Sequence, residues 1–201
     1  MPQILQYLKE IDTEVLLGIN GLHNQGCDFI MYWFSNKPVW IPLYLLLIFL
    51  VYRKYGNKTW WILLGAALMI TLGDQLSVHL FKNQVQRLRP CHEPALQPLL
   101  HLVNGECGGK YGFVSSHATN TFSLAVFLFG FYIRHYRWLA WGLLVWAASV
   151  SYSRIYLGVH YPADVVAGML FGSLTGYLLR KLTLWFINNR KPFRLPGGEA
   201  A

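Results

Sequence analysis

The residues that set the architecture read Ala163-Asp-Val-Val-Ala-Gly-Met-Leu-Phe-Gly-Ser-Leu-Thr-Gly-Tyr-Leu-Leu-Arg-Lys-Leu-Thr-Leu184. About 20 mostly apolar residues in a helix cross the hydrocarbon core of a bilayer, so this segment predicts a membrane-spanning helix. Gly168, Gly172 and Gly176 recur at every fourth position. They leave one face of the helix without side chains, which lets a neighbouring helix approach closely. The segment therefore predicts a closely packed bundle of membrane helices.

Four more apolar segments precede this helix. They predict spans at residues 39–52 (reaching back through Trp33), 60–81, 118–133 and 138–150. Residues 3–23 are typical of an amphipathic helix lying along the interface. A sixth span at residues 15–34 is the alternative, but it would bury Asn20, His23, Asn24, Gln25 and Asp28. We predict an all-α fold with five spans, one membrane-embedded domain at residues 1–187 and a polar tail at 188–201.

The composition agrees with a lipid environment. The chain is 54% hydrophobic, 16% aromatic and only 13% charged, whereas soluble domains carry about 25% charged residues. Its net charge of +8 comes from Lys and Arg in short segments between apolar runs, a membrane-protein pattern that argues against nucleic acid as a partner. The larger basic set, at residues 53–58, 134–137 and 180–194, predicts the cytoplasmic side. The loops at residues 82–116 and 154–162 then face outside.

Three short polar clusters fall on this outer side, and the first runs from Lys82 through Arg89 to Pro90. Two cations seven positions apart share one face of a helix. Pro90 would end that helix, because the residue before a proline is disfavoured in the α region. Taken alone, the cluster is explained equally well by lipid-headgroup contacts or by side chains that snorkel to the interface.

The second cluster, Ser115-Ser116-His117, opens the span at 118–133. Serine is a favoured helix cap, and the first amides of a helix form an anion site. Taken alone, an ordinary cap followed by an incidental histidine is the simpler explanation. The cluster indicates a functional site only when it is considered together with the other two clusters.

The third cluster runs from Ser153-Arg154 to His160 and Asp164. Pro162 suits the first position of a helix, which places His160 just before that helix and Asp164 one turn away. A carboxylate there can accept a hydrogen bond from His Nδ1–H and leave Nε2 with a free lone pair. An imidazole held in this way can serve as a nucleophile or base; a simple His–Asp capping pair is the alternative.

Together the clusters supply cations, hydroxyls and helix-start amides, which suit a phosphoryl group. They resemble the signature of the type 2 phosphatidic acid phosphatase superfamily: Lys-x6-Arg-Pro, Pro-Ser-Gly-His and Ser-Arg-x5-His-x3-Asp. Residues 82–90 and 153–164 match the first and third parts in full. In the second part, Val114 and Ser116 replace the family's proline and glycine. The missing glycine removes easy access to positive φ, which predicts a loop of altered shape.

The resemblance implies a mechanism and a set of roles. His160 attacks phosphorus and forms a phosphohistidine, Asp164 orients His160, and His117 acts as general acid and then as base. The phosphoryl oxygens are held by Lys82, Arg89, Ser115, Ser116 and Arg154. No metal or other cofactor is expected. The enzyme would lie in a bacterial inner membrane, with its site facing the periplasm.

The expected substrate is a phospholipid or a polyprenyl phosphate or diphosphate, with undecaprenyl diphosphate placed first. Phosphatidylglycerophosphate, phosphatidic acid and a lipid A phosphate are the alternatives. A transporter is a second functional class, but the predicted spans carry few polar residues apart from Asp74. A non-catalytic lipid-binding relative is a third, although it would not need His160 and Asp164 at this spacing. The oligomeric state is not readable from the sequence.

Two further features leave alternatives open. Asp74 lies within a predicted span, where a carboxylate is functional or paired; we expect a pairing role, with a loop cation or a serine. Cys91 and Cys107 lie in the outer loop, where they could remain free or form a disulfide that stabilises the protein by about 3 kcal/mol.

Overall fold

A computed structural model describes residues 3–189, and these residues are predominantly helical with no β-strand. The all-α prediction is therefore confirmed for this part of the chain. Of the predicted tail, Asn188 and Asn189 belong to the last helix, and the remainder lies outside the described residues. The main helices are α1 (Gln3–Asn20), α2 (Gln25–Ser35), α3 (Ile41–Tyr55), α4 (Thr59–Leu76), α5 (Ser116–Tyr132), α6 (Arg137–Tyr156) and α7 (Pro162–Asn189).

The helices follow the predicted spans closely. The span at 60–81 corresponds to α4 with the π-helical turn Ser77–Lys82 that continues it, while the later three correspond to α5, α6 and α7. Two helical runs in the described residues, Lys37–Val85 and Pro162–Asn189, are long and apolar enough to cross a membrane. The first run contains α3 and α4. The total of five spans remains a prediction.

The N-terminal part differs from the prediction at one point. The first span does not reach back through Trp33, because α2 ends at Ser35 and the 3₁₀ turn Lys37–Trp40 precedes α3. Proline in the first turn of both the 3₁₀ helix and α3 favours these fresh helix starts.

The alternative sixth span at residues 15–34 is not a continuous helix. The first helix ends at Asn20, and Asn24 caps α2 by accepting a hydrogen bond from the Cys27 amide at 3.0 Å. The helix predicted at residues 3–23 is present as α1. Its position along the membrane interface remains a prediction.

Close packing of α5 against α7 brings two of the polar clusters together. A Cβ atom on Gly168 would lie 2.7 Å from the Ser115 carbonyl oxygen, and Gly172 and Gly176 abut the α5 backbone even more closely. The Ser115 amide donates to the Asp164 carbonyl oxygen at 3.0 Å. The glycine face predicted from the sequence thus places the start of α5 beside the start of α7.

The loop between Lys82 and Ser116, called the outer loop after its predicted side, folds back on itself. Leu88 and Tyr111 form an antiparallel bridge, flanked by hydrogen bonds from the Arg89 amide to the Lys110 carbonyl (3.1 Å) and from the Gly112 amide to the Arg87 carbonyl (2.9 Å). The Cys91–Cys107 disulfide closes the same loop, with its Cα atoms 5.9 Å apart. Of the two alternatives left open by the sequence, the structure contains the disulfide.

This disulfide has a measurable consequence. Alkylation of the unreduced, denatured protein should modify one cysteine, Cys27, which is the free cysteine of the structure. Reduction should raise the number to three and lower the free energy of unfolding by about 3 kcal/mol, since the bridge closes a loop of 16 residues. Mass spectrometry and a thermal melt check both results, and three modified cysteines before reduction would contradict the pairing.

Candidate active site

The centre of the site is His160, which lies in the turn before α7 with a side chain only 1% exposed. Its Nδ1 is 3.5 Å from Asp164 Oδ2, and Arg89 Nη1 is 3.1 Å from its Nε2. A guanidinium can only donate hydrogen bonds, so Nε2 accepts and the ring proton belongs on Nδ1, facing Asp164. Burial, together with the charges of Arg89 and Arg154, holds the pKa of His160 well below its ordinary value. The structure thus presents a neutral imidazole with its Nε2 lone pair directed toward a cation.

Three cations lie around this imidazole, as the sequence predicts. The side chains of Lys82, Arg89 and Arg154 all interact electrostatically with His160. Lys82 Nζ also donates to Ser116 Oγ at 2.8 Å, and Arg154 donates to Ser35 Oγ. Positive charge from the outer loop and from the end of α6 therefore converges on one point.

The start of α5 contributes the second predicted cluster. Ser115 is the N-cap of α5, with its Oγ 3.5 Å from the Ala118 amide. Ser116 lies in right-handed helical structure and is not among the residues with positive φ. The backbone at this position therefore has a conformation that serine adopts as readily as the family's glycine. The Ser116 hydroxyl gains the contact with Lys82, which a glycine could not make. His117 follows and interacts electrostatically with His160 and Arg154.

The geometry of the first cluster differs from the prediction. Lys82 and Arg89 do not share a helix face, because the helix ends at Val85 and Gln86 adopts a left-handed conformation. Pro90 is thus not the residue that ends the helix. The pairing of residues 87–89 with 110–112 pulls this segment into an extended form, and Arg89 reaches His160 from the loop.

Arg87 and Asp12 were not predicted as site residues, yet both join the His160–Asp164 pair. Arg87 donates to Asp164 Oδ1 at 2.9 Å and to Asp12 Oδ2 at 2.6 Å, and its guanidinium lies 3.8 Å from the centre of the Tyr161 ring. Asp12 also accepts from the Ala163 amide at 2.8 Å. Since these contacts join α1 to α7 across 151 positions, no local sequence pattern indicated them.

Ser35, the last residue of α2, was missed for the same reason. It accepts from Arg154 through its hydroxyl and hydrogen bonds to His117 through its backbone. The pairing expected for Asp74 has an additional partner: Asn120 of α5 donates to its Oδ1 at 2.8 Å. Lys82, at the start of the outer loop, also interacts electrostatically with this carboxylate.

Two cavities meet at the site. An apolar cavity of about 350 Å³ extends between α3, α4, α5 and α6, and its walls include Trp40, Tyr44 and Leu128. A second cavity of about 410 Å³, lined by both polar and apolar side chains, lies under the outer loop. Ser35, Lys37 and His117 line both cavities. An amphiphile with its polar group at His117 would fit this arrangement.

Similarity to known proteins covers most of the chain. The model of the PAP2 superfamily matches residues 58–188. A lipid A 4'-phosphatase of Bacteroides thetaiotaomicron is 37% identical over 96% of this chain and 83% of its own. A second lipid A 4'-phosphatase, from Porphyromonas gingivalis, is 34% identical over 90% of this chain and 76% of its own. An undecaprenyl-diphosphatase of Sulfolobus acidocaldarius is also 34% identical, but the alignment covers only 72% of this chain and 64% of its own.

A crystal structure shares the fold. It is that of a transmembrane PAP2-type phosphatidylglycerolphosphate phosphatase from Bacillus subtilis, with a TM-score of 0.62, 22% identity and coverage of 94% of this chain and 90% of that one. The family match covers well over half of the chain, and the Bacteroides relative extends it over nearly all the rest. This chain therefore belongs to the PAP2 superfamily and is a membrane phosphatase that hydrolyses phosphate esters.

Proposed function

We propose that this phosphatase removes a phosphate group from a glycolipid of the lipid A type, at the extracytoplasmic face of the membrane. The extent of the similarity supports this substrate: the Bacteroides lipid A 4'-phosphatase aligns with 96% of the chain, and the undecaprenyl-diphosphatase with 72%. Undecaprenyl diphosphate, which the sequence analysis placed first, becomes the second candidate. Both are lipids with a phosphate at the polar end.

The arrangement of His160 carries the catalytic part of the proposal. Its Nε2 attacks phosphorus, a P–N bond forms, and the P–O bond to the lipid breaks. His117 gives a proton to the leaving oxygen and then takes one from the water that hydrolyses the phosphohistidine, which releases phosphate and restores Nε2. Asp164 stabilises the positive imidazole ring from the Nδ1 side.

The cations around His160 balance the charge of the phosphoryl group. In this role Lys82, Arg89 and Arg154 contact its oxygens, together with the hydroxyls and amides of Ser115 and Ser116 at the start of α5. Three fixed positive charges supply the neutralisation that metal ions give in other phosphoryl-transfer sites. We therefore expect turnover to continue in EDTA.

Arg154 provides a test of how these charges are used. The change Arg154→Lys keeps the charge but loses the planar pair of donors that matches phosphate oxygens. We expect kcat/KM to fall by about 100-fold, the usual scale for one transition-state contact. Arg137→Lys, an exposed position at the start of α6, serves as the matched control. Equal kcat/KM in the two variants would show that Arg154 does not contact the phosphoryl oxygens.

A substrate panel tests the proposed function as a whole. The detergent-purified protein is given a lipid A phosphate, undecaprenyl diphosphate, phosphatidic acid and phosphatidylglycerophosphate in EDTA, and released phosphate is measured. We expect the highest kcat/KM with the lipid A phosphate. A higher value with undecaprenyl diphosphate would reverse the ranking of substrates. No release from any lipid by folded protein would overturn the catalytic proposal.

A further inference from the structure

The second cavity, under the outer loop, takes part in the mechanism above only through His117 and Arg154 in its wall. Its walls bring together side chains from α2, the following turn, the outer loop and the end of α6, among them Tyr32, Asn36, Lys37, Glu106, His117 and Arg154. We infer that this cavity, here called the sugar subsite, binds the carbohydrate ring that carries the scissile phosphate. The inference rests on the proposed function and specifies how that function selects its substrate.

The position of His117 gives the first argument. A residue that protonates the leaving oxygen must lie beside it, so the chemical group attached to that oxygen enters whichever space adjoins His117. Two spaces do so, the apolar cavity and the sugar subsite. A leaving alcohol on a purely hydrocarbon chain needs only the first. A sugar alcohol with acyl chains needs both, and the structure provides both.

The carboxylate of the subsite gives the second argument. Glu106 lies in its wall near the Tyr32 hydroxyl, with Tyr32 Oη 3.5 Å from Glu106 Oε1. Lys37 and Arg154 line the same wall, so the argument rests on hydrogen bonding and not on net charge. A carboxylate accepts hydrogen bonds from sugar hydroxyls, and the diacylglycerol that leaves from phosphatidic acid has no such free hydroxyls to offer.

The remaining polar groups fit the same ligand. The Asn36 amide and the Lys37 ammonium offer donors, and the amide also offers an acceptor. Sites with a few placed polar groups discriminate strongly against analogues that lack the matching hydroxyl, since those groups then lose their partner. The subsite thus discriminates between glycolipid phosphates and simple phospholipids.

The test compares two monoesters with the same acyl chains, a diacylated glucosamine 4-phosphate and a phosphatidic acid. We expect Glu106→Ala to lower kcat/KM for the glucosamine phosphate by about tenfold or more, the scale of a lost hydrogen bond to a charged group. For phosphatidic acid we expect a change of less than about twofold. Glu106→Gln should lower kcat/KM for the glucosamine phosphate less than Glu106→Ala does, because the glutamine side chain keeps a hydrogen-bond acceptor.

The controls separate this inference from the proposed function. Glu10→Ala removes an exposed acid of α1 outside the subsite and should leave both substrates unchanged. An equal loss on both substrates in Glu106→Ala, or no loss on either, overturns the sugar subsite while wild-type turnover keeps the phosphatase proposal intact. Absence of wild-type turnover on all lipids overturns both together.

Discussion

Phosphate release should fall by about five orders of magnitude when His160 is replaced by alanine. The expected loss is this large because the side chain is the proposed nucleophile, and removal of a nucleophile from an enzyme that forms a covalent intermediate costs roughly 10⁵–10⁶ in kcat. The Nε2 atom of His160 accepts from Arg89, and Lys82 and Arg154 also act electrostatically on this ring. Released phosphate, measured under saturating lipid, gives kcat directly.

The matched control is His135→Ala. His135 is exposed in the turn between α5 and α6, away from the site clusters. It should retain full activity, and the unfolding temperatures of both variants show whether they are folded. Activity of folded His160→Ala at the level of His135→Ala would refute the assignment of the nucleophile.

Arg87→Met is expected to lower both activity and stability strongly, although Arg87 is not one of the fixed residues of the family signature. Its guanidinium lies between two carboxylates, Asp12 and Asp164, of which Asp164 is completely buried. Removal of one partner leaves a buried charge without compensation and costs about 3–5 kcal/mol of stability. A displaced Asp164 would no longer hold His160 for attack, and misplacement of about 1 Å can cost about 100-fold in rate.

The expected pattern for Arg87→Met is a lower unfolding temperature and a lower kcat with little change in KM. Arg137→Met is the control, because it removes an exposed arginine at the start of α6. Arg87→Lys should retain part of the activity, since lysine keeps the positive charge but lacks the planar pair of guanidinium donors. A wild-type kcat in Arg87→Met would show that the contact with Asp164 is without consequence for catalysis.

Much of this fold can be predicted from the sequence because the bilayer imposes simple rules. Long apolar segments fix the positions of α4 to α7, and the spacing of Gly168, Gly172 and Gly176 indicates the close helix contact that the structure contains. Pro162 marks the start of α7, which places His160 and Asp164 one turn apart. Each of these features depends on residues that are close together in the sequence, so it can be predicted without knowledge of the tertiary contacts.

The parts that could not be predicted depend on contacts between distant segments. The helix from Lys82 ends at Val85 because residues 87–89 pair with 110–112 across the loop, and no signal in residues 82–90 reveals that pairing. The contacts of Asp12 with Arg87 and of Ser35 with Arg154 have the same origin. The sequence analysis includes a lipid A phosphate only among its alternatives, since the cavities that would distinguish the substrates are formed by side chains from several helices.

The central claim is that His160 carries the phosphoryl group during turnover. The most direct test mixes the protein with a ³²P-labelled lipid phosphate in EDTA, stops the reaction within milliseconds in alkali, which preserves phosphohistidine, and maps the label by peptide digestion. The account predicts label on the peptide that contains His160 and none in His160→Ala. Rapid phosphate release with no labelled protein at any time, or label that persists in His160→Ala, would contradict it.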